Sequence, residues 1–214
     1  LLSLEPDERE RKLKKLWIYF FDTADLDLFN HKIILRARKK KDDSDESTVK
    51  IRGIDPSQDF SKWKSVIKLE GDWVGDRVLR SASLTVEQNP GEIDQVANKT
   101  RDISCLFSKE QEQFVEDILH IPLKFDDLEI LGPVEVRRWK KQPDDFDQEI
   151  CVECWEFPDG KDIVELSVKV EPNQAVSACN AFERYLKQLG LNTDVKQEAK
   201  AFYALKYFAD IIKN

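Results

Sequence analysis

Charged side chains recur two residues apart along several stretches that otherwise read as β-strands. Arg36 and Arg38 flank Ala37, and Lys50 and Arg52 flank Ile51. Lys68, Glu70 and Asp72 share one parity, as do Glu135 with Arg137 and, across Ser167, Glu165 with Lys169. Residues i and i+2 of a strand stand on one face about 6.6 Å apart, so each pair lines one side of a sheet. Guanidinium forks and ammonium groups suit phosphate oxygens. Carboxylates supply the oxygen ligands that Mg2+ accepts alongside a substrate's phosphates. Two structures fit this pattern. One is an ordinary sheet with a solvated, charged face. The other is a sheet curled on itself, with the charges turned inward to receive a polyanion and its divalent counter-ion.

The strands that must carry these pairs are legible in the sequence. Aromatic Trp17 to Asp22 predicts a strand, and Asp22-Thr23 before Ala24 to Leu28 predicts a capped helical turn. Lys32 to Arg38 and Thr48 to Arg52 predict an antiparallel hairpin around a polar connection from Lys39 to Ser47. Further strands are predicted over Ser65 to Asp72, Arg77 to Val86, Leu128 to Trp139, Glu149 to Phe157 and Asp162 to Val170. Helices are predicted over Leu1 to Leu16, Ser108 to Leu119, Ala175 to Leu189 and Val195 to Ile212.

Composition narrows the function classes. With 214 residues the chain suits one domain, 1–214, and 42 acidic against 34 basic residues give a net charge of −8. That surplus argues against a nucleic-acid-coating protein, which needs the opposite sign. No apolar run approaches the roughly 20 residues of a membrane span, so no membrane partner is expected and a cytoplasmic location is. Cys151 and Cys154 have CxxC spacing, but on a strand they point to opposite faces. Without a second cysteine pair, a zinc site is not expected. The seven glycines form no phosphate-cradling loop. His31 reads as an exposed or capping histidine. Lys109 and Lys200, on predicted helices, are surface lysines or phosphate contacts. Trp73, Trp139 and Trp155 read mainly as packing groups.

Taken in order, Tyr19-Phe20-Phe21-Asp22-Thr23, Asp25-Leu26-Asp27-Leu28, Leu35-Arg36-Ala37-Arg38, Ser47-Thr48-Val49-Lys50 and Val164-Glu165-Leu166 resemble the CYTH or triphosphate tunnel metalloenzyme family. The resemblance implies an α+β fold in which about eight antiparallel strands close into a barrel-like tunnel with helices packed outside. It implies divalent-metal-dependent binding and hydrolysis of a triphosphate-containing small molecule (inorganic triphosphate, thiamine triphosphate or a nucleoside triphosphate) with Mg2+ or Mn2+. Carried over by position, Arg36, Arg38, Lys50 and Arg52 form the triphosphate-binding set, with Lys68, Arg137 and Lys169 on opposing strands. Glu70, Glu153 and Glu165 are the implied metal ligands, and Glu165 and Lys50 the implied catalytic pair. The alternatives are a non-catalytic polyphosphate- or nucleotide-binding module of this fold, a class IV-type adenylate cyclase, or an open sheet that binds proteins.

Two departures bear on catalysis. The family's opening Glu-x-Glu-x-Lys strand is spelled by Glu8-Arg9-Glu10-Arg11-Lys12, but this run sits close before Tyr19 in a stretch that reads as helix. The first strand is therefore expected upstream of Leu1. Ser167 stands where the late strand's second glutamate is expected. Oligomeric state is left open.

Overall fold

The structure is a computed structural model, which describes residues 13–74, 77–119, 123–193 and 199–213. Eight strands form one antiparallel sheet: β1 (Lys14–Asp22), β2 (Ile33–Lys40), β3 (Asp45–Arg52), β4 (Lys68–Val74), β5 (Arg77–Gln88), β6 (Glu129–Lys141), β7 (Ile150–Glu156) and β8 (Asp162–Val168). Their spatial order is β4-β5-β3-β2-β1-β6-β7-β8. Five helices accompany them: α1 (Asp27–Asn30), α2 (Glu92–Ala97), α3 (Lys109–Leu119), α4 (Ala175–Gln188) and α5 (Lys200–Lys213).

The strand number, antiparallel pairing and outer helices agree with the sequence reading. The sheet curls into a half-barrel. Among the described residues β4 and β8 share no ladder, and the gap between them is small enough for Lys68 of β4 and Lys169, just beyond β8, to act on one another's charge. Helix α4, which follows β8, also packs against β4.

The sheet is apolar on its outer face and mixed on its inner one. Outside, Tyr19, Phe21, Leu35, Ala37, Val49 and Leu84 pack with Ile93 and Val96 of α2 and with Phe114 and Val115 of α3. Ile150 and Val152 pack outside against Phe146 of the β6–β7 connection and Tyr185 of α4. Inside, one end of the trough is filled rather than open. Leu16, Ile18, Phe20, Ile34, Leu131, Val134, Val136 and Trp155 bury Ala201, Ala204, Leu205 and Phe208 of α5. Burial on both faces explains why β1 reads as a continuous aromatic run instead of an alternating one.

Lys14 to Leu16 open β1 instead of ending a helix, because Leu16 belongs to the inner core. Residues 1–12 of the predicted first helix, with the Glu8 to Lys12 run, lie outside the described residues, as does the 195–198 start of the predicted last helix. The 39–47 connection is shorter than read: β2 runs to Lys40 and β3 starts at Asp45. Helix α2, after Asn89-Pro90-Gly91, was not foreseen.

Asp22 shows why the aromatic-Asp-Thr segment is spelled as it is. Its buried carboxylate accepts the backbone N–H groups of Thr23 at 2.8 Å, Leu28 at 2.9 Å and Phe29 at 2.9 Å. It thereby satisfies orphan donors at the start of α1. Burial pushes its pKa up, against the pull of those three N–H groups.

Candidate functional site

Ladder partners directly opposite one another share a face, so register assigns each charged residue. Arg36 is opposite Phe20 and Thr48, Arg38 opposite Ile18 and Glu46, and Ile34 opposite Lys50. Lys50 and Arg52 are opposite Ser83 and Ser81, which in turn face Lys68 and Glu70. On the other arm, Arg138, Glu153 and Glu165 form one row across β6, β7 and β8. All of these share the inner face. That this face is concave follows from charges on distant strands acting on one another: Arg36 with Glu153, Arg52 with Glu165, and Arg138 with Glu46.

The structure therefore brings Arg36, Arg38, Lys50, Arg52, Lys68, Glu70, Glu153 and Glu165 to one trough, with Lys169 at its rim. Arg137 is not among them. It points outward and pairs with Glu156, and the inner residue is its neighbour Arg138, whose Nε donates to Cys151 Sγ at 3.3 Å. The cause is a bulge. Register slips between Ile18 and Phe20, so that Leu131 and Val134, three apart, both face inward. Every later residue of β6 is thereby flipped relative to simple alternation. Gly132 makes the bulge possible: its φ is +138°, and a Cβ there would lie 2.8 Å from the backbone oxygen of Ile18.

The basic set is unequally neutralised. Arg38 Nη1 donates to Glu46 at 3.0 Å, and Lys40 Nζ donates to the other oxygen of Glu46 at 2.6 Å. Lys50 Nζ lies 3.8 Å from Glu70 and 3.7 Å from Asp72. Lys68 donates to Glu70 at 2.5 Å. For Arg36 and Arg52, by contrast, no ion pair forms among the described residues; their Nε atoms, like that of Arg38, are buried without a hydrogen-bond partner. The Ser81 hydroxyl, opposite Arg52, is also buried and unpartnered. Buried donors in such a state mark a place shaped for an acceptor.

Electrostatics follow from this crowding. Burial, with Arg38 alongside, lowers the Arg36 pKa to about 9. Burial also lowers Lys50 and Arg52. Lys68 beside it pushes Lys169 down, whereas Glu70 holds Lys68 up. The trough is a concentration of positive charge that lacks part of its counter-charge.

Among the described residues the acidic side chains do not form a metal cage. Glu70 stands on β4, where it pairs with Lys68 and with Lys50 of β3. Glu153 and Glu165 face one another across β7 and β8, but Lys200 of α5 lies between them, donating to Glu165 at 2.6 Å and to Glu153. Among the described residues no three metal-ligating side chains come together. This donor set does not fit a divalent ion held by the protein alone. Lys200, ambiguous in the sequence, is the residue that fills the place.

Other candidates resolve simply. His31 Nδ1 lies 2.7 Å from the Asp27 backbone oxygen, a capping contact. Lys109 is exposed on the outer helix α3. Trp73 is on the outer face of β4, Trp139 packs in the α4 cluster, and Trp155 is buried inside beneath Lys200. A recess lined by Phe29, Lys32, Ile34, Arg52, Gly53 and Leu79 opens beside the basic set. The four cysteines form no disulfide, and no helix of the described residues is long and apolar enough to cross a membrane.

No protein-family model and no curated protein sequence matches the chain. Solved structures do. A candidate adenylate cyclase from Bacillus halodurans is similar with a TM-score of 0.57 at 15% identity, covering 94% of this chain and 92% of that one. HpAC1 from Hippeastrum, described as an adenylyl cyclase candidate with a dominant triphosphatase activity, has a TM-score of 0.61 at 16% identity, covering 95% and 91%. At these identities the likeness shows a shared tunnel-type fold.

Proposed function

We propose that the trough binds a triphosphate-bearing small molecule, and that release of its terminal phosphate is the activity its charges favour. The observation that carries this reading is the pair Arg36 and Arg52, enclosed, charged and without carboxylate partners. Leaving a buried charge unpaired is costly, and a site that keeps two is organised for an anion that supplies the missing charge. Arg36, Arg52, Lys50 and Arg138 would hold phosphate oxygens, with Lys68 and Lys169 at the rim. The recess beside Arg52 offers apolar walls to whatever group the triphosphate carries.

In phosphoryl transfer most of the catalytic effect comes from positioning and from neutralising charge on the equatorial and leaving oxygens. Fixed guanidinium and ammonium groups do both. The Hippeastrum neighbour's described triphosphatase activity supports this direction. A second reading, binding without turnover, is favoured by Ser167 and by Lys200 between Glu153 and Glu165. A phosphate-release assay over tripolyphosphate, thiamine triphosphate and ATP, with and without Mg2+ or Mn2+, tests the proposal. Turnover of any of them supports hydrolysis. Binding without release leaves the second reading, and neither binding nor release overturns both.

A further inference from the structure

Glu153 and Glu165 are directly opposed inner-face residues on neighbouring strands. Two carboxylates so placed repel unless a cation or a proton intervenes. Here the cation belongs to the chain. Lys200, the first residue of α5, donates to Glu165 Oε1 at 2.6 Å and to Glu153 Oε2. The rest of its surroundings hold it there: its Nζ sits 5.1 Å from the centroid of the Trp155 ring, and the Trp155 indole N–H donates to Glu153 Oε2 at 3.2 Å. Arg138 Nε lies 3.6 Å from the other Glu153 oxygen. The helix behind Lys200 is anchored, since Ala201, Ala204 and Leu205 are buried against the sheet.

We propose that Lys200 is the resident cation of the acidic pair, occupying the place between Glu153 and Glu165 that a divalent ion would need. The protein alone therefore holds no divalent metal there, and removal of this one ammonium turns the pair into a cation site. A tethered ammonium competes at high effective concentration. A free divalent ion must displace it and also lose part of its hydration shell, which Mg2+ does reluctantly. With Ser167 in the next inner position of β8, that strand adds no second carboxylate, and among the described residues no group of three metal-ligating side chains forms there. This inference stands whether or not the trough binds a triphosphate.

The test is Mn2+ binding to the protein without any phosphate ligand, read from the electron paramagnetic resonance signal of free Mn2+. The parent should show no saturable binding up to millimolar Mn2+. Lys200→Met should bind at least about tenfold more tightly, the size of effect single groups around a metal have on its affinity. Adding Glu165→Gln to Lys200→Met should cancel the gain. Saturable binding by the parent with the same affinity as Lys200→Met would overturn the proposal, as would a folded Lys200→Met that gains nothing. If Lys200→Met fails to fold, the Lys200 side-chain ammonium resonance of the parent decides. It should stay in place through a millimolar Mg2+ titration, and displacement by Mg2+ would overturn the proposal.

Discussion

Arg36 and Arg38 stand side by side on the inner face of β2, yet only Arg38 has a carboxylate partner, Glu46 at 3.0 Å. The unpaired guanidinium is a liability to the empty protein and an asset to a binder of anions. Arg36→Met keeps the length of the side chain and removes the charge. It should stabilise the ligand-free protein by about 1–3 kcal/mol, in line with other replacements of buried charges by apolar groups. Scanning calorimetry would register this as a rise in Tm. A fall would mean that Arg36 is compensated within the chain.

The pH dependence follows from the same group. Burial, with Arg38 alongside, lowers the folded pKa of Arg36 to about 9, well below the ordinary guanidinium value. Between these values the unfolded chain binds more protons, so this group's penalty on stability is full below about pH 9 and is relieved as pH rises above it. Anion binding runs the other way, because the charge that attracts phosphate is lost through the same window. Lys50, held down by burial, and Lys169, held down by Lys68, lose charge in the same direction. Calorimetric titrations at several pH values should show tripolyphosphate affinity falling above about pH 9, and falling less steeply in Arg36→Met. Affinity flat across that window in the parent would contradict the assignment.

At the acid end Glu153 is the reporter. Burial alone would raise its pKa, but the Lys200 ammonium overrides burial and holds it at about 2. A carboxylate depressed from 4.5 to about 2 contributes stability above the higher value, lost as pH falls through the lower. Acid unfolding of the parent should therefore have a component in that window that Glu153→Gln removes. Identical acid profiles for the two proteins would count against the Lys200 contact.

The bulge of β6 yields a paired comparison. Arg138→Ala removes an inner guanidinium and should weaken tripolyphosphate binding by about 1.5–3 kcal/mol, the usual range for hydrogen bonds to charged groups. Arg137→Ala, on the outer face, should leave affinity unchanged. The reverse pattern would place the slip between Ile18 and Phe20 wrongly. Gly132→Ala should destabilise by about 1–3 kcal/mol, the cost of a side chain forced into a sparsely populated backbone region. Denaturant titration with no such loss would contradict the close approach to Ile18.

The fold was legible where one face of a strand differs clearly from the other. The Arg36–Arg38 and Lys50–Arg52 pairs marked a shared charged face because their odd-numbered neighbours Ala37 and Ile51 are buried on the other side, but the pattern alone did not say whether that face was solvated or turned inward. Arg137 was misplaced because periodicity carries no record of an extra residue. Only Gly132-Pro133, read as a bulge, could have signalled the flip. Lys200 was visible as a lysine on an amphipathic helix and nothing more. Its role depends on α5 filling the trough's end, a long-range packing relation that no local pattern encodes. Glu70 fell into the implied metal set for a similar reason: strand parity gives the face, but not the distance across a curled sheet.

The central claim, that the trough is an anion site built on unpaired guanidiniums, is tested most directly by titration calorimetry of tripolyphosphate into the parent and into Arg36→Ala with Arg52→Ala. Charge-assisted hydrogen bonds contribute about 1.5–3 kcal/mol each, so the double variant should lose at least about a hundredfold in affinity while remaining folded. Equal affinity in the folded double variant, or no binding by the parent at all, would contradict the claim.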